Sequence, residues 1–239
     1  MNEFFKEWHQ REIHKDHLFI TDGAIDDKLW NDAKIKVLFL LKEAYDSKNT
    51  TGSWGLSGLI RKRRASGRTF KPMGQWASGI QRLALNGQLQ EYIEGGEEVD
   101  NALLSSAIIN IKKSGGKNKS SWSNLFQYAK SDWDLIQKQI DSLNPDIIVC
   151  GNTWSLIKDN LTDKKKISDR VHKAGNHTYV NYWHPSNRAS NSMNYYALCA
   201  LVSQAFEFGS HNKRLQSDLR PLSPFVQKTA QKAPLACGS

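Results

Sequence analysis

Short apolar runs that alternate with stretches of helical spacing are the feature that most constrains the fold. The runs occupy residues 35–41, 107–111, 145–151 and 178–182. Each is rich in aliphatic residues and has the length of a buried strand. Helical apolar spacing follows in residues 76–85, 122–143 and 195–208. Because strands and helices alternate without internal repeats, the sequence predicts an α/β fold, a three-layer α/β/α sandwich around a mostly parallel sheet of about four strands.

The length and the apolar runs predict one domain that lies outside membranes. A chain of 239 residues can bury the core of one α/β domain. We expect that domain in residues 1–208, and a basic C-terminal tail outside the core in residues 209–239. The apolar runs are too short to cross a bilayer, and the acidic first residues do not form a secretory signal. We therefore expect a cytoplasmic monomer.

The cysteines and glycines indicate no cofactor. Cys150, Cys199 and Cys237 are far apart, which gives neither a disulfide framework nor the ligand spacing of a zinc or iron–sulfur site. No glycine-rich phosphate loop followed by Lys and Ser or Thr occurs in the sequence, so ATP use is not indicated. We expect neither a metal nor another cofactor.

The charge of the chain favours nucleic acid as a partner. The formal net charge is +9 and the pI is near 9.4, and a basic surface attracts polyanions. A surface charge that serves only solubility is the alternative. The candidate phosphate contacts lie in two basic runs and their neighbours, namely Arg61, Lys62, Arg63, Arg64, Arg68 and Lys71, and then Lys112, Lys113, Lys117 and Lys119.

Polar residues follow or end three of the predicted strands. Glu43 and Asp46 follow the first, Asn110 lies in the second, and His184 follows the fourth. In open parallel sheets, ligands bind beyond the carboxyl ends of the strands, so we expect these side chains to share one site. The alternatives are a carboxylate paired with a nearby lysine, an Asn bonded to its own backbone, and a loop histidine satisfied by its neighbours.

In this order and spacing, the residues resemble the uracil-DNA glycosylase superfamily, and most closely a divergent bacterial branch of it. The resemblance covers roughly residues 17–205 and rests on the segments 22–26, 37–43, 109–113, 145–151 and His184-Pro185-Ser186. The chain departs from the family's first motif at Lys42, Ala44 and Tyr45, where the family usually has glycine, an acid or amide, and proline.

The resemblance implies a DNA glycosylase that flips out uracil or a modified pyrimidine and hydrolyses its N-glycosidic bond. Modified cytosine of phage DNA is a candidate, which would make the activity an antiviral defence. The roles it implies are water activation by Glu43 or Asp46, hydrogen-bond donation to the base by His184, base reading by Asn110, base stacking by Tyr45, Trp54 and Trp183, and strand clamping by Ser186 and Arg188. The alternatives are an inactive nucleic-acid-binding module of the same fold, and a nucleotide or RNA hydrolase.

Overall fold

The chain is seen in a computed structural model, which describes residues 3–15, 17–46, 52–116 and 120–210, without the side chains of residues 208–210. Its helices are α1 Glu3–His9, α2 Asp27–Asp32, α3 Leu56–Arg63, α4 Gly67–Asn86, α5 Glu97–Leu104, α6 Trp122–Leu143, α7 Trp154–Ile157 and α8 Asn191–Ser210. Its strands are β1 Ile20–Thr21, β2 Gly23–Ala24, β3 Val37–Tyr45, β4 Trp54–Gly55, β5 Ala107–Gly116, β6 Ile147–Gly151, β7 Lys165–Lys166, β8 Val171–Ala174 and β9 His177–Tyr182.

The main sheet in the described ranges has the strand order β2-β5-β3-β6-β9-β8-β7. Its centre, β5-β3-β6-β9, is parallel, and these are the strands that the apolar runs predict. The α/β class is therefore confirmed. The sheet is wider than predicted because β2, β7 and β8 pair antiparallel at its edges. These edge strands span only two to four residues, too few to give an apolar run.

The side chains of β3 show why the central strands are apolar throughout. Phe39 and Leu41 pack in one apolar cluster with residues of α4 and α8. Leu38 and Leu40 pack in a second cluster with residues of α6. Since successive side chains of a strand point to opposite faces, a strand buried on both faces needs an unbroken apolar run.

Two predicted loops are strand instead. The sequence placed strand ends after residues 41 and 111, whereas β3 continues to Tyr45 and β5 to Gly116. The parallel ladder continues through the pair Glu43 and Lys112. It tolerates these polar residues because their side chains form an ion pair with each other.

Several helix boundaries also differ from the prediction. The helix α6 has the predicted bounds, while α4 begins at Gly67 rather than at residue 76. The helix α8 extends to Ser210, and the predicted tail beyond it lies outside the described residues. Within the described ranges, no helix is long and apolar enough to cross a membrane.

Candidate active site

The carboxyl ends of the four central strands form one edge of the sheet, where the predicted site residues were expected. The strands β3 and β9 flank β6, so their axes lie about 10 Å apart. At the end of β6, a Cβ added to Gly151 would come within 2.5 Å of Leu41 Cδ2 and 3.6 Å of His184 Cα. The loop that carries His184 therefore packs over the end of β6 beside β3. Glu43 and His184 thus lie at the same edge of the sheet.

The hydrogen bonds of His184 fix its tautomer. Its Nδ1 atom accepts the backbone N–H of Ser186 at 3.2 Å and lies 2.8 Å from Ser186 Oγ. Because a backbone N–H can only donate, Nδ1 carries no proton. Burial, and secondarily the charge of Lys42, lowers the pKa of His184 to about 4. At neutral pH the ring is therefore uncharged, with its proton on Nε2.

The Nε2 atom of His184 is available as a donor. It has no hydrogen-bond partner in the described part of the chain, and it is not among the sealed polar atoms that lack a partner. A neutral imidazole whose free N–H is held in one orientation can stabilise negative charge that develops on a neighbouring oxygen. The loop residues His184-Pro185-Ser186 supply such a donor.

Glu43 is held tightly at the end of β3. Its side chain is only 7% exposed, and its Oε2 atom accepts from Lys112 Nζ at 3.0 Å. Lys112 also donates to Gly115 O at 3.3 Å. A Cβ added to Gly116 would come within 2.4 Å of Glu43 Cγ, so the end of β5 lies directly against the carboxylate. Lys112, predicted as a phosphate contact, is instead the ion-pair partner of Glu43, because the longer ladder brings the two side chains together.

The other residues predicted next to Glu43 divide into two groups. Asp46 lies at the same corner, where its backbone N–H donates to Gly116 O at 3.2 Å. Tyr45 is 58% exposed and is therefore accessible to a base. Trp54 pairs with Ile20 in a separate two-stranded sheet and, partly buried, packs against an apolar cluster. Its predicted base stacking stays a prediction.

Asn110 lies in a buried network rather than at an open pocket. Asn110 is only 2% exposed. The backbone N–H and the Nδ2 group of Asn110 donate to Asp22 Oδ2 at 2.8 and 3.3 Å. The amide is thus engaged with Asp22, and the predicted contact with a base is not formed by the observed arrangement.

Lys113 is the fully buried cation of the same network. Its Nζ donates to Asp22 Oδ1 at 2.5 Å and to Gln139 Oε1 at 3.0 Å, and it lies 4.5 Å from the centre of the Trp8 ring. Burial lowers the pKa of Lys113, and the Asp22 carboxylate opposes that shift. The predicted phosphate contact of Lys113 is therefore wrong. Because β5 continues past residue 111, Lys113 is a strand residue whose side chain lies in the core, although that of Lys112 reaches Glu43 at the sheet edge.

Asp22 and Gln139 are the network residues that the sequence reasoning missed as partners of Lys113. Asp22 was used only within the segment 22–26 that carries the resemblance, without a partner in the core. Gln139 carries a usable signal, because it falls within the apolar stripe of α6 beside Leu135, Ile136 and Ile140. A polar residue at such a position needs a buried partner.

The remaining basic residues lie mostly at the surface. Arg61, Lys62, Arg63 and Arg64 are exposed and form the end of α3, where cations also favour the helix dipole. Arg61 donates to Ile25 O at 2.6 Å. Arg68 and Arg188 are exposed, Lys71 pairs with Glu94, and Ser186 bonds to His184. Lys117 and Lys119 lie outside the described residues.

A cleft of about 460 Å³ lies elsewhere in the fold. It is lined by residues of α6 and of the turn between β8 and β9, among them Trp133, Gln137, Gly175 and His177. It therefore adjoins the amino end of β9, not the edge with Glu43 and His184. Within the described ranges, no group of three or more His, Cys, Asp and Glu side chains could hold a metal ion.

Comparisons of the sequence with known proteins identified no relative. No protein-family model matches the chain, and no curated protein matches it. The resemblance to the glycosylases therefore rests on the residues at the strand ends.

Proposed function

We propose that the protein is a DNA glycosylase that hydrolyses the N-glycosidic bond of a flipped pyrimidine and leaves an abasic site. The observation that carries the proposal is the uncharged His184, with a free Nε2–H, on the same sheet edge as the Glu43 carboxylate. In this proposal the fold is a three-layer α/β/α sandwich, the partner is DNA, and the protein acts as a cytoplasmic monomer without a metal.

The two side chains match the charges that develop as an N-glycosidic bond breaks. The sugar becomes positive and the departing base negative. Glu43 faces the sugar and orients the attacking water, and His184 donates from Nε2 to the base carbonyl. Because the pKa of His184 is about 4, the ring is uncharged at neutral pH and acts as a hydrogen-bond donor rather than as an acid that transfers a proton. Asp46 is the second candidate for water activation at this corner.

The base is a modified pyrimidine in preference to uracil. Lys42 and Tyr45 occupy positions where the family that the chain resembles has glycine and proline. Tyr45 is exposed at the end of β3. A larger and more exposed first motif suits a bulkier base, such as the modified cytosine of phage DNA. The enzyme would then act in antiviral defence.

The test is release of free base, measured by mass spectrometry. The substrates are uracil-containing DNA and phage DNA with modified cytosines. We expect the wild-type protein to release one of these bases, and Glu43→Gln and His184→Ala to reduce the rate at least about 100-fold. Glu97→Gln is the control, because it removes an exposed carboxylate from the first turn of α5 that has no contact with Glu43 or His184 in the described part of the chain. The proposal fails if no base is released, or if all three variants act alike.

An inactive nucleic-acid-binding module is the second candidate. It is favoured by the pairing of the nearly buried Glu43 with Lys112 and by the engagement of Asn110 with Asp22. The same experiment separates the two candidates. Binding of DNA without release of any base would assign the module.

A further inference from the structure

The turn of a basic hairpin lies at the sheet edge where His184 follows β9, and the hairpin extends from there towards the amino end of β9, where Lys173 is opposite Thr178. The strands β7 and β8 form this hairpin, and its turn, residues 167–170, joins them. Since β8 runs antiparallel to β9, the turn lies at the carboxyl end of β9, where His184 follows. The backbone N–H of Asn181 donates to Arg170 O at 2.8 Å, which fixes the turn against the last residues of β9.

The hairpin places lysines opposite each other. Lys165 and Lys173 are direct partners in the register, and both residues are exposed. Like charges at directly opposite positions destabilise a strand pair. Burial lowers the pKa of His172, and the charges of Lys164 and Lys166 lower it further. The hairpin therefore carries more positive than negative charge, even though Asp169 pairs with Lys166 at 2.7 Å, and such an excess attracts anions.

Trp183 is adjacent both to the basic hairpin and to His184 of the candidate site. It immediately precedes His184, and half of its surface is exposed (50%). The Arg170 guanidinium lies 5.6 Å from the centre of its ring. An exposed aromatic ring beside cations is the arrangement with which proteins bind unpaired bases and their phosphates.

We propose that Trp183, Arg170 and the hairpin lysines Lys165 and Lys173 bind a single-stranded DNA segment next to the flipped nucleotide. A neighbouring base stacks on Trp183, and the phosphates that follow lie along the hairpin. This assignment rests on the proposed function for the position of the flipped base, but strand binding itself needs no catalysis. Lysines on an edge strand also prevent pairing with other chains, and a role limited to that would leave DNA affinity unchanged.

The experiment measures binding of a fluorescein-labelled, single-stranded oligonucleotide by anisotropy over a range of salt concentrations. The variants are Lys165→Gln/Lys173→Gln, Trp183→Ala and Trp183→Phe. The control is Lys28→Gln/Lys130→Gln, which removes the same charge from exposed positions on α2 and α6.

We expect the hairpin double variant to bind about 10-fold more weakly and its salt slope to fall by about 1.4, since each phosphate contact on a single strand contributes about 0.7. Trp183→Ala should weaken binding by about 5-fold or more, and Trp183→Phe should retain most of the affinity, because stacking needs only an aromatic face. The control should bind like the wild type.

The inference is overturned if the control variant loses as much affinity as the hairpin variant, or if the hairpin variants bind like the wild type. It is also overturned if blunt duplex DNA binds as tightly as the single strand and its affinity is unchanged by Trp183→Ala. These outcomes are independent of base release. Loss of strand binding in the hairpin variants of a protein that releases no base would support the inference while the glycosylase proposal fails.

Discussion

Two lysine–carboxylate pairs from neighbouring positions of β5 lie in opposite environments. Lys112 pairs with Glu43 at the sheet edge, where its side chain is 14% exposed. Lys113 pairs with Asp22 in the core, where the side chains are 0% and 1% exposed. Each pair joins a lysine to a carboxylate, Glu43 in one and Asp22 in the other, and the two pairs differ in how deeply they are buried.

The comparison shows how burial separates a pair that stabilises the core from a pair that solvent can reach. A charge removed from water must be matched within the protein, so the Asp22–Lys113 pair is surrounded by further polar partners, Asn110 and Gln139. Loss of one member leaves an uncompensated charge in the core. The Glu43–Lys112 pair keeps some contact with solvent at the carboxyl edge of the sheet, the same edge at which His184 follows β9. It is therefore the pair that we propose meets a substrate.

The largest effect is expected from breaking the buried pair. Lys113→Ala leaves the Asp22 carboxylate unpaired in the core and should lower the free energy of unfolding by about 3–5 kcal/mol. Urea denaturation followed by circular dichroism measures it. Replacement of both members, Lys113→Met with Asp22→Asn, should cost less than Lys113→Ala alone. A loss below about 1 kcal/mol for Lys113→Ala would contradict the buried network.

The next largest effect is expected from the acid titration of His184. The pKa of His184 is about 4 in the folded protein, against about 6.5 in an unfolded chain. Between these values the unfolded state binds a proton that the folded state does not. Stability should therefore be complete above pH of about 6.5 and decline as the pH falls towards 4, by up to about 3 kcal/mol in total.

Urea denaturation at pH 7 and at pH 4.5 measures this decline in the wild type and in His184→Gln. The variant should lose less stability on acidification than the wild type. Lys42→Gln sharpens the test, because the charge of Lys42 is the second cause of the low pKa of His184. Its removal should raise that pKa towards the unfolded value and so reduce the stability lost on acidification. Equal pH dependence in all three proteins would show that His184 is not buried as an uncharged ring.

The smallest expected change in stability is at Lys112. Lys112→Gln should lower the free energy of unfolding by only about 1 kcal/mol, because the pair is partly solvated. Base release should nevertheless fall roughly 10- to 100-fold, because Glu43 loses the partner that orients it. Stability by denaturation and rate by mass spectrometry are measured on the same preparation. A large stability loss with an unchanged rate would reverse the roles assigned to the two pairs.

The proposed site residues could be found in the sequence because polar side chains that follow apolar strands leave local patterns. Glu43 follows an apolar run, and His184 lies in a His-Pro-Ser segment after another. The structure places both at one sheet edge, as the parallel arrangement requires. The tautomer of His184 was not readable, because it depends on a backbone N–H two residues away in a folded loop.

The sequence by itself determined the α/β class, the four parallel strands and the helix α6, because buried strands and amphipathic helices impose their periods on local apolar patterns. It could not determine where β3 and β5 end, because polar residues continue both strands once Glu43 and Lys112 meet across the ladder. Nor could it separate Lys112 from Lys113. Only the tertiary structure decided that one faces the sheet edge and the other a buried aspartate, since burial is set by the neighbours that folding brings from distant parts of the chain.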